Sequence, residues 1–260
     1  MERTRLMNQT GLHGKVAIVT GGNRGIGKSI AIAFGQSGIN VVVSARDANL
    51  LKGTVKVINQ NGGNAFYVRC DLSEMEGIYN LINETIARYG RIDILVNNGA
   101  ISPFVKRSEE VTPEMWDDVI KVNLLAPFLL CREAGKIMMK HNWGRIINIA
   151  SVGGILALPR QIAYCAAKAG LIQMTKVLAI EWSERYNITV NAIAPGWVKT
   201  DLTSGIRSSE AISEKILKRI PAKRYAESDE IAGAALYLAS ESSSYTTGSV
   251  LVIDGGMCSC

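Results

Sequence analysis

Short runs of apolar, mostly β-branched residues alternate with longer segments of helical periodicity along nearly the whole chain. Runs of this kind predict strands, and the longer periodic segments predict amphipathic helices. The predicted strands are Lys15–Thr20, Val41–Ala45, Ala65–Cys70, Ile92–Asn97, Arg145–Ser151, Thr189–Ala194 and Ser249–Asp254. The predicted helices lie near residues 25–37, 48–60, 74–89, 112–140, 161–184 and 227–239.

This alternation predicts an α/β fold of the Rossmann-like type, a doubly wound parallel sheet of about seven strands with helices on both faces. No Pro-, Ser- or charge-rich linker interrupts the sequence, so residues 1–260 are expected to form a single coenzyme-binding and catalytic domain. Ligands of such sheets bind beyond the carboxyl ends of the strands. Functional residues are therefore expected just after the predicted strands.

The glycine-rich stretch T-G-G-N-R-G-I-G, at positions 20–27, lies between the first predicted strand and the first predicted helix. Gly21 would permit a tight turn, and Gly25 and Gly27 would let a phosphate and the helix approach the backbone closely. Glycine-rich turns also occur where only the shape of the turn requires glycine. The position of this stretch, between a strand and a helix, is therefore the evidence for a ligand site. Because a helix N-terminus offers free N–H groups to a pyrophosphate, the stretch predicts a dinucleotide site.

The end of the second predicted strand bears on which dinucleotide binds. A free ribose 2′-hydroxyl is usually met there by an acidic side chain, but this strand ends at Ala45 and is followed by Arg46. Arg24 is a second cation at the same corner, and two arginines suit a 2′-phosphate. Asp47 has an alternative role as the cap of the following helix. NADP(H) is therefore favoured, with NAD(H) as the alternative.

A serine, a tyrosine and a lysine follow the fifth predicted strand. Tyr164 and Lys168 share one face of a helix, and Ser151 at the strand end can approach them. Reduction of a carbonyl needs a hydride at carbon and a proton at oxygen. A phenol can donate that proton, a nearby ammonium stabilises the phenolate, and the serine can hold the substrate oxygen. This chemistry needs no metal, and no metal-ligand cluster is expected.

Composition adds limits to this picture. The net charge is 29 − 23 = +6, but the basic residues are scattered, so nucleic-acid binding is not expected. No apolar run reaches the length of a membrane span, and residues 1–11 are interpreted as an N-terminal extension without the apolar core of a signal peptide. The cysteines are odd in number and irregularly spaced, which predicts a reduced cytoplasmic protein. They are Cys70, Cys131, Cys165, Cys258 and Cys260.

From about Leu12 onward the chain resembles the single-domain short-chain dehydrogenases/reductases. The motifs in family order are T-G-G-N-R-G-I-G (20–27), C-D-L (70–72), N-N-G-A (97–100), Asn123, Ser151, Tyr164 with Lys168, and P-G-W-V-K-T (195–200). The resemblance implies a catalytic tetrad of Asn123, Ser151, Tyr164 and Lys168, with Asn123 holding a water next to the lysine. It also implies association through residues 252–256, commonly as homotetramers.

The resemblance further implies a set of coenzyme-binding residues. They are Gly21, Asn23, Arg24, Gly25, Ile26, Gly27, Ala45, Arg46, Asp71, Leu72, Asn97, Gly99, Ala100, Tyr164, Lys168, Pro195, Gly196, Val198 and Thr200. Within it, Asp71 would contact the adenine amine, and Asn97 the adenosine ribose through its backbone. The family's usual Ala-Gly order is inverted here to Gly99-Ala100, and a small local adjustment of the loop is expected.

Substrate specificity is expected to come from residues 101–107, 153–161 and about 201–222, the last resembling the family's mobile lid. One interpretation is a 3-oxoacyl thioester reductase that works with acyl carrier protein, resembled in Gln161 and in the basic Arg185. The alternative is a dehydrogenase or reductase of sugars, polyols or ketogluconates, for which Arg160 could bind a carboxylate. The acyl reductase is slightly favoured. A third hypothesis is a non-catalytic coenzyme-binding sensor or scaffold. Family members of that kind typically lose the tyrosine or the lysine, and this chain keeps Tyr164 and Lys168.

Overall fold

A computed structural model describes residues 11–259 as a sheet of seven parallel strands in the order β3-β2-β1-β4-β5-β6-β7. The strands are β1 Val16–Thr20, β2 Asn40–Ala45, β3 Asn64–Arg69, β4 Ile94–Asn97, β5 Gly144–Ile149, β6 Ile188–Pro195 and β7 Val250–Ile253. The order reverses direction between β1 and β4, which opens a crevice at their carboxyl ends. Residues 1–10 of the expected extension, and Cys260, lie outside the described residues.

Nine α-helices surround the sheet in the described chain. They are α1 Gly25–Gln36, α2 Ala48–Gln60, α3 Met75–Tyr89, α4 Pro113–Ile120, α5 Ala126–His141, α6 Ile162–Tyr186, α7 Ser204–Arg207, α8 Glu210–Lys218 and α9 Ser228–Ala239. Three of them, α1, α2 and α9, pack on one face of the sheet, while α3, α5 and α6 cover the other. The predicted doubly wound fold is confirmed.

The buried strands explain why both faces need helices. Along β1, Ala17 and Val19 pack into the core on one face, while Ile18 packs into the core on the other. Successive side chains of a strand point to opposite faces, so an apolar run without alternation must be covered on both sides. Strand β5 is likewise buried along its whole length.

The helix predicted near 112–140 is confirmed in extent, but its geometry is not α-helical throughout. Residues Lys121–Leu125 form a π-helical turn between α4 and α5. Within it the Asn123 amide accepts a hydrogen bond from the Ile101 N–H (2.8 Å) and donates one to the Ile101 carbonyl (2.7 Å). Hydrophobic periodicity does not report such a widened turn, and π-turns are frequent at functional sites.

Two short helices, α7 and α8, occupy the segment 201–222, which the hydrophobic pattern did not predict to be helical. Neither helix buries a residue fully. No helix in the span 11–259 combines the length and apolar character needed to cross a lipid bilayer.

Candidate active site

A cavity of about 1300 Å³ opens at the carboxyl edge of the sheet and is lined by the loops that follow β1 to β6. Most residues predicted for the site line this cavity. They are Gly21, Asn23, Arg24, Gly25, Ile26, Ala45, Arg46, Asp71, Leu72, Gly99, Ala100, Ser151, Tyr164, Lys168, Pro195, Gly196, Val198 and Thr200. Three others, Gly27, Asn97 and Asn123, are not among its lining residues. Among residues 11–259 no cluster of His, Cys, Asp or Glu could hold a metal ion.

The turn after β1 leaves no space for side chains. A Cβ on Gly27 would lie 2.3 Å from the Gly21 carbonyl oxygen, and Gly21 and Gly25 have φ of +63° and +50°. Helix α1 begins at Gly25, and the preceding residue, Arg24, makes no side-chain cap. The free N–H groups of the first turn therefore face the cavity, which suits the pyrophosphate of a dinucleotide.

Asn98 and Thr20 join the loops after β1 and β4, and neither side chain has a role predicted from the sequence. The Asn98 amide donates to the carbonyl of Thr20 (2.9 Å) and that of Gly21 (3.3 Å). The Thr20 hydroxyl accepts from the N–H groups of Asn98 and Gly99, both at 3.0 Å. The signal available in the sequence was the second asparagine of the N-N-G-A motif.

The inverted Gly99-Ala100 order places a glycine against the Leu72 side chain. A Cβ on Gly99 would lie 2.6 Å from Cδ1 of Leu72. This atom is the end of a flexible side chain, which could move aside. The expected local adjustment of the loop stays a prediction.

The residues that follow β2 include one acid and one base. Asp47 caps α2, because its Oδ1 accepts hydrogen bonds from the N–H groups of Asn49 (2.9 Å) and Leu50 (3.1 Å). This confirms its interpretation as a helix cap. Arg24 and Arg46 both line the cavity. The cavity thus offers two guanidinium groups to a phosphorylated ribose.

Asp71, which is predicted to contact the adenine, accepts two hydrogen bonds from Ser73. The Ser73 N–H and hydroxyl donate to its Oδ1 at 2.9 and 2.8 Å. Partial burial raises the pKa of Asp71, but these hydrogen bonds and the positive charges of Arg46 and Arg69 outweigh it, so the pKa lies below its ordinary value. The carboxylate is therefore ionised and can accept a hydrogen bond from an adenine amine.

Ser151, Tyr164 and Lys168 come together in the cavity. Ser151 follows β5 by two residues, and its hydroxyl accepts a hydrogen bond from the Gly153 N–H (3.0 Å). Tyr164 lies in the first turn of α6, with the Lys168 Nζ 5.7 Å from the centre of its ring. The buried Lys168 ammonium donates to the Ile149 carbonyl at 2.7 Å.

Burial shifts the titration of both helix residues. It lowers the pKa of Lys168 from 10.5 to about 8. It also raises the pKa of the Tyr164 phenol, an effect that hydrogen bonding with Ser151 partly offsets. At neutral pH the site therefore holds a protonated phenol beside a charged ammonium, the state required to deliver a proton to an oxygen.

The segments predicted to determine specificity form a second, mostly apolar part of the cavity. The lining residues of these segments are Ile101, Ser102, Pro103, Val105, Leu158, Gln161, Asp201, Leu202, Thr203, Gly205 and Ile206, and Val152 and Trp197 lie beside them in the lining. None is basic, and Arg160 is exposed outside the lining. Sequence reasoning missed Trp197, Val122 and Asp118 as lining residues.

Arg185, proposed from the sequence for acyl carrier protein, lies in the last turn of α6, whereas Tyr164 lies in the first. At 1.5 Å per residue the two are about 30 Å apart along the helix axis. Within one chain this cation therefore does not border the cavity, and its proposed role stays a prediction.

Comparison with known proteins shows extensive similarity. A family model described as "Enoyl-(Acyl carrier protein) reductase" matches residues 21–258. The chain is 40% identical over 248 residues to glucose 1-dehydrogenase 2 of Bacillus subtilis, covering 95% of each chain. It is 40% identical over 250 residues to a 3-oxoacyl-[acyl-carrier-protein] reductase of Synechocystis, covering 95% of this chain and 98% of the relative. A structure described as a putative NAD(P)-dependent gluconate 5-dehydrogenase from Beutenbergia cavernae with bound NADP superposes with a TM-score of 0.91, at 38% identity, covering 96% of this chain and 98% of the other.

Proposed function

The chain belongs to the short-chain dehydrogenase/reductase family, and we propose that it reduces a ketone to a secondary alcohol with NADP(H), using Tyr164 as the proton donor. Oxidoreductases of this family act on CH–OH and keto groups with NAD(P). The observation that carries the proposal is the meeting of Ser151, Tyr164 and Lys168 in the same cavity as the glycine turn.

Bound in this cavity, the reduced nicotinamide would supply the hydride for the carbonyl carbon. The backbone around Gly21 to Gly27 would hold the pyrophosphate, and Asp71 and Leu72 the adenine. The space kept free by these glycines supports a fit to a dinucleotide.

The remaining chemistry falls to the protein's own side chains. Ser151 would hold the substrate oxygen next to the phenol, and Tyr164 would donate its proton to that oxygen as the alcohol forms. Lys168 would stabilise the resulting phenolate through its positive charge, which its pKa of about 8 preserves at neutral pH. Asn123 would act indirectly, because its amide binds the Ile101 backbone at the start of the specificity segments.

The choice of NADP(H) rests on the corner beyond β2. The strand ends at Ala45 without an acidic residue, and Asp47 uses its Oδ1 to cap α2. Arg24 and Arg46 suit a 2′-phosphate instead.

For the substrate we favour a neutral ketone such as a 3-oxoacyl thioester. A sugar acid would bring a carboxylate into the specificity part of the cavity, where no lining residue is basic. Burying an unpaired charge is unfavourable, so this lining supports the thioester.

The alternative of a sugar or ketogluconate enzyme draws support from the names of two of the relatives. A non-catalytic role is not favoured, because the four tetrad residues are all retained.

The segment 201–222 is proposed to act as the substrate lid. It contributes Leu202, Thr203, Gly205 and Ile206 to the lining while its helices bury no residue fully. Few buried contacts imply a low free energy of local opening.

A homo-oligomer is also proposed for this chain. Its support is exposed apolar side chains on two elements, Val177 and Ile180 on α6 and Leu251 and Val252 on β7. Apolar surface of this kind marks association sites when it is contiguous.

The function is tested by initial rates of NADPH and NADH oxidation with an acetoacetyl thioester, 5-ketogluconate, a diketone and an aromatic ketone. The proposal expects turnover with NADPH and preference for the thioester. Preference for 5-ketogluconate would move the enzyme to sugar metabolism. Coenzyme binding without turnover of any ketone would instead support the sensor or scaffold.

A further inference from the structure

The guanidinium of Arg24 has an internal anionic partner. Its Nη1 lies 3.0 Å from Oδ2 of Asp201, which is 177 residues away in sequence. Arg24 belongs to the glycine turn that precedes α1, and Asp201 is the first residue of the segment 201–222. Both residues line the cavity.

This ion pair contributes little to the stability of the fold, so a phosphate can replace the carboxylate as the partner of Arg24. The Arg24 and Asp201 side chains are 59% and 69% exposed, so water screens their attraction. Among residues 11–259 no other carboxylate is paired with Arg24. A guanidinium forms its strongest contacts with phosphate through two parallel N–H donors, and a phosphate attracts it more strongly than a single carboxylate at the same distance.

The Asp201 backbone does not depend on this contact. The Thr203 hydroxyl donates to the Val198 carbonyl (2.7 Å), and Arg207 donates to the Thr200 carbonyl (3.1 Å). These bonds hold the turn that contains Asp201 whether or not its carboxylate is charged. A neutral, isosteric asparagine is therefore expected to keep the local fold.

We propose that Asp201 determines coenzyme specificity by competing with the 2′-phosphate of NADP(H) for the Arg24 guanidinium. The inference rests on the proposed use of Arg24 as a phosphate ligand. NADP(H) must displace the carboxylate to gain its full contact with Arg24. NAD(H), which carries a hydroxyl at that position, makes no demand on the arginine and leaves the pair in place. Asp201 thus moderates the preference for NADP(H) and keeps NAD(H) usable.

The test compares the dissociation constants of NADPH and NADH, measured by coenzyme fluorescence, for the wild type and for Asp201→Asn. Exposed ion pairs are weak, so Asp201→Asn is expected to tighten NADPH binding by about 2- to 5-fold. The NADH constant is expected to stay within error. Glu84→Gln removes the same charge from an exposed position on α3 outside the cavity, and should change neither constant. Asp201→Ser provides a second variant should the asparagine form fail to fold.

A double-variant cycle with Arg24→Ala separates competition from simple repulsion. If Asp201 acts through Arg24, adding Asp201→Asn to Arg24→Ala leaves NADPH affinity unchanged. Tightening that persists in the absence of the arginine would mean that the carboxylate repels the phosphate directly, and would overturn the proposal. Unchanged or weaker NADPH binding in Asp201→Asn would also overturn it. If Arg24→Ala itself leaves NADPH binding unaffected, the proposed coenzyme assignment of Arg24 fails as well, which distinguishes the two failures.

Discussion

The two parts of the cavity are built by different means. In the coenzyme part, close backbone contacts define the shape: a Cβ on Gly27 would lie 2.3 Å from the Gly21 carbonyl oxygen, and Asn98 bonds to two carbonyls of the neighbouring loop. In the specificity part, apolar side chains from separate segments define the shape. One of them, Leu202, is 53% exposed.

This difference indicates how each part responds to change. A rigid backbone cradle tolerates no added methyl group, but it binds a coenzyme that many relatives share. A wall of half-exposed side chains tolerates substitution and can therefore take different substrates on the same fold. The relatives named above fit this view, since they carry different substrate names at the same 40% identity.

The largest effect is expected at the residue where the two parts meet. Tyr164→Phe removes the proton donor and is expected to lower kcat by about 10²- to 10⁴-fold, the range typical of general acid catalysis. The coenzyme dissociation constant should remain near the wild-type value, because the phenol hydroxyl is a minor part of that contact. Steady-state rates and a coenzyme titration on one preparation check both statements, and normal turnover by the variant would refute the assigned role.

A second prediction concerns pH. In the proposed mechanism the charged Lys168 stabilises the phenolate, and its pKa of about 8 means that it loses its proton as the pH rises through that value. Reduction is expected to slow by about tenfold per pH unit above this point, since the neutral amine no longer stabilises the phenolate. Ketone reduction with saturating coenzyme, followed from neutral to alkaline pH, measures the profile. A rate that stays flat until the tyrosine itself ionises would contradict the role of Lys168.

The coenzyme part should be sensitive to one methyl group. Gly27→Ala forces the new Cβ against the Gly21 carbonyl, so the free energy of unfolding is expected to fall by about 1–3 kcal/mol, with weaker coenzyme binding. Urea unfolding and a coenzyme titration measure the two effects.

Gly53→Ala is the matched control, because no heavy atom lies within 4 Å of a Cβ there. Its position inside α2 is expected to make that variant about 0.5–1 kcal/mol more stable. Equal effects of the two substitutions would show that the turn after β1 is not the tight cradle described.

The smallest effect is expected in the specificity part. Leu202→Ala removes apolar contact with the substrate and is expected to raise KM by about 2- to 10-fold, leaving the coenzyme constant unchanged. Ile212→Ala, on α8 and outside the lining, is a control with similar exposure, 49% against 53%. A change in coenzyme affinity for Leu202→Ala would mean that the two parts of the cavity are not separable.

The same difference explains what could be predicted from the sequence. Three features depend on spacing along single strand–helix units. They are the glycine turn, the arginines Arg24 and Arg46, and the group of Ser151, Tyr164 and Lys168. Such spacing is visible in one sequence, and these residues do meet in one cavity.

Features that depend on contacts between distant segments could not be predicted. The Asn123 amide bonds to the Ile101 backbone, and the Leu72 side chain lies against Gly99. The Arg24–Asp201 pair joins residues that are 177 positions apart. Hydrophobic periodicity carries no information about these partners, because each depends on how the whole sheet is assembled.

The central claim is a direct hydride transfer to a carbonyl carbon in this cavity. The most direct measurement uses NADPH carrying deuterium at the transferred position of the nicotinamide, with the ketone that the substrate panel selects, followed by mass spectrometry of the alcohol. The account predicts deuterium on the carbinol carbon of the product, at the same level in light and heavy water. Product without that deuterium, or label that enters the carbon from the solvent, would contradict it.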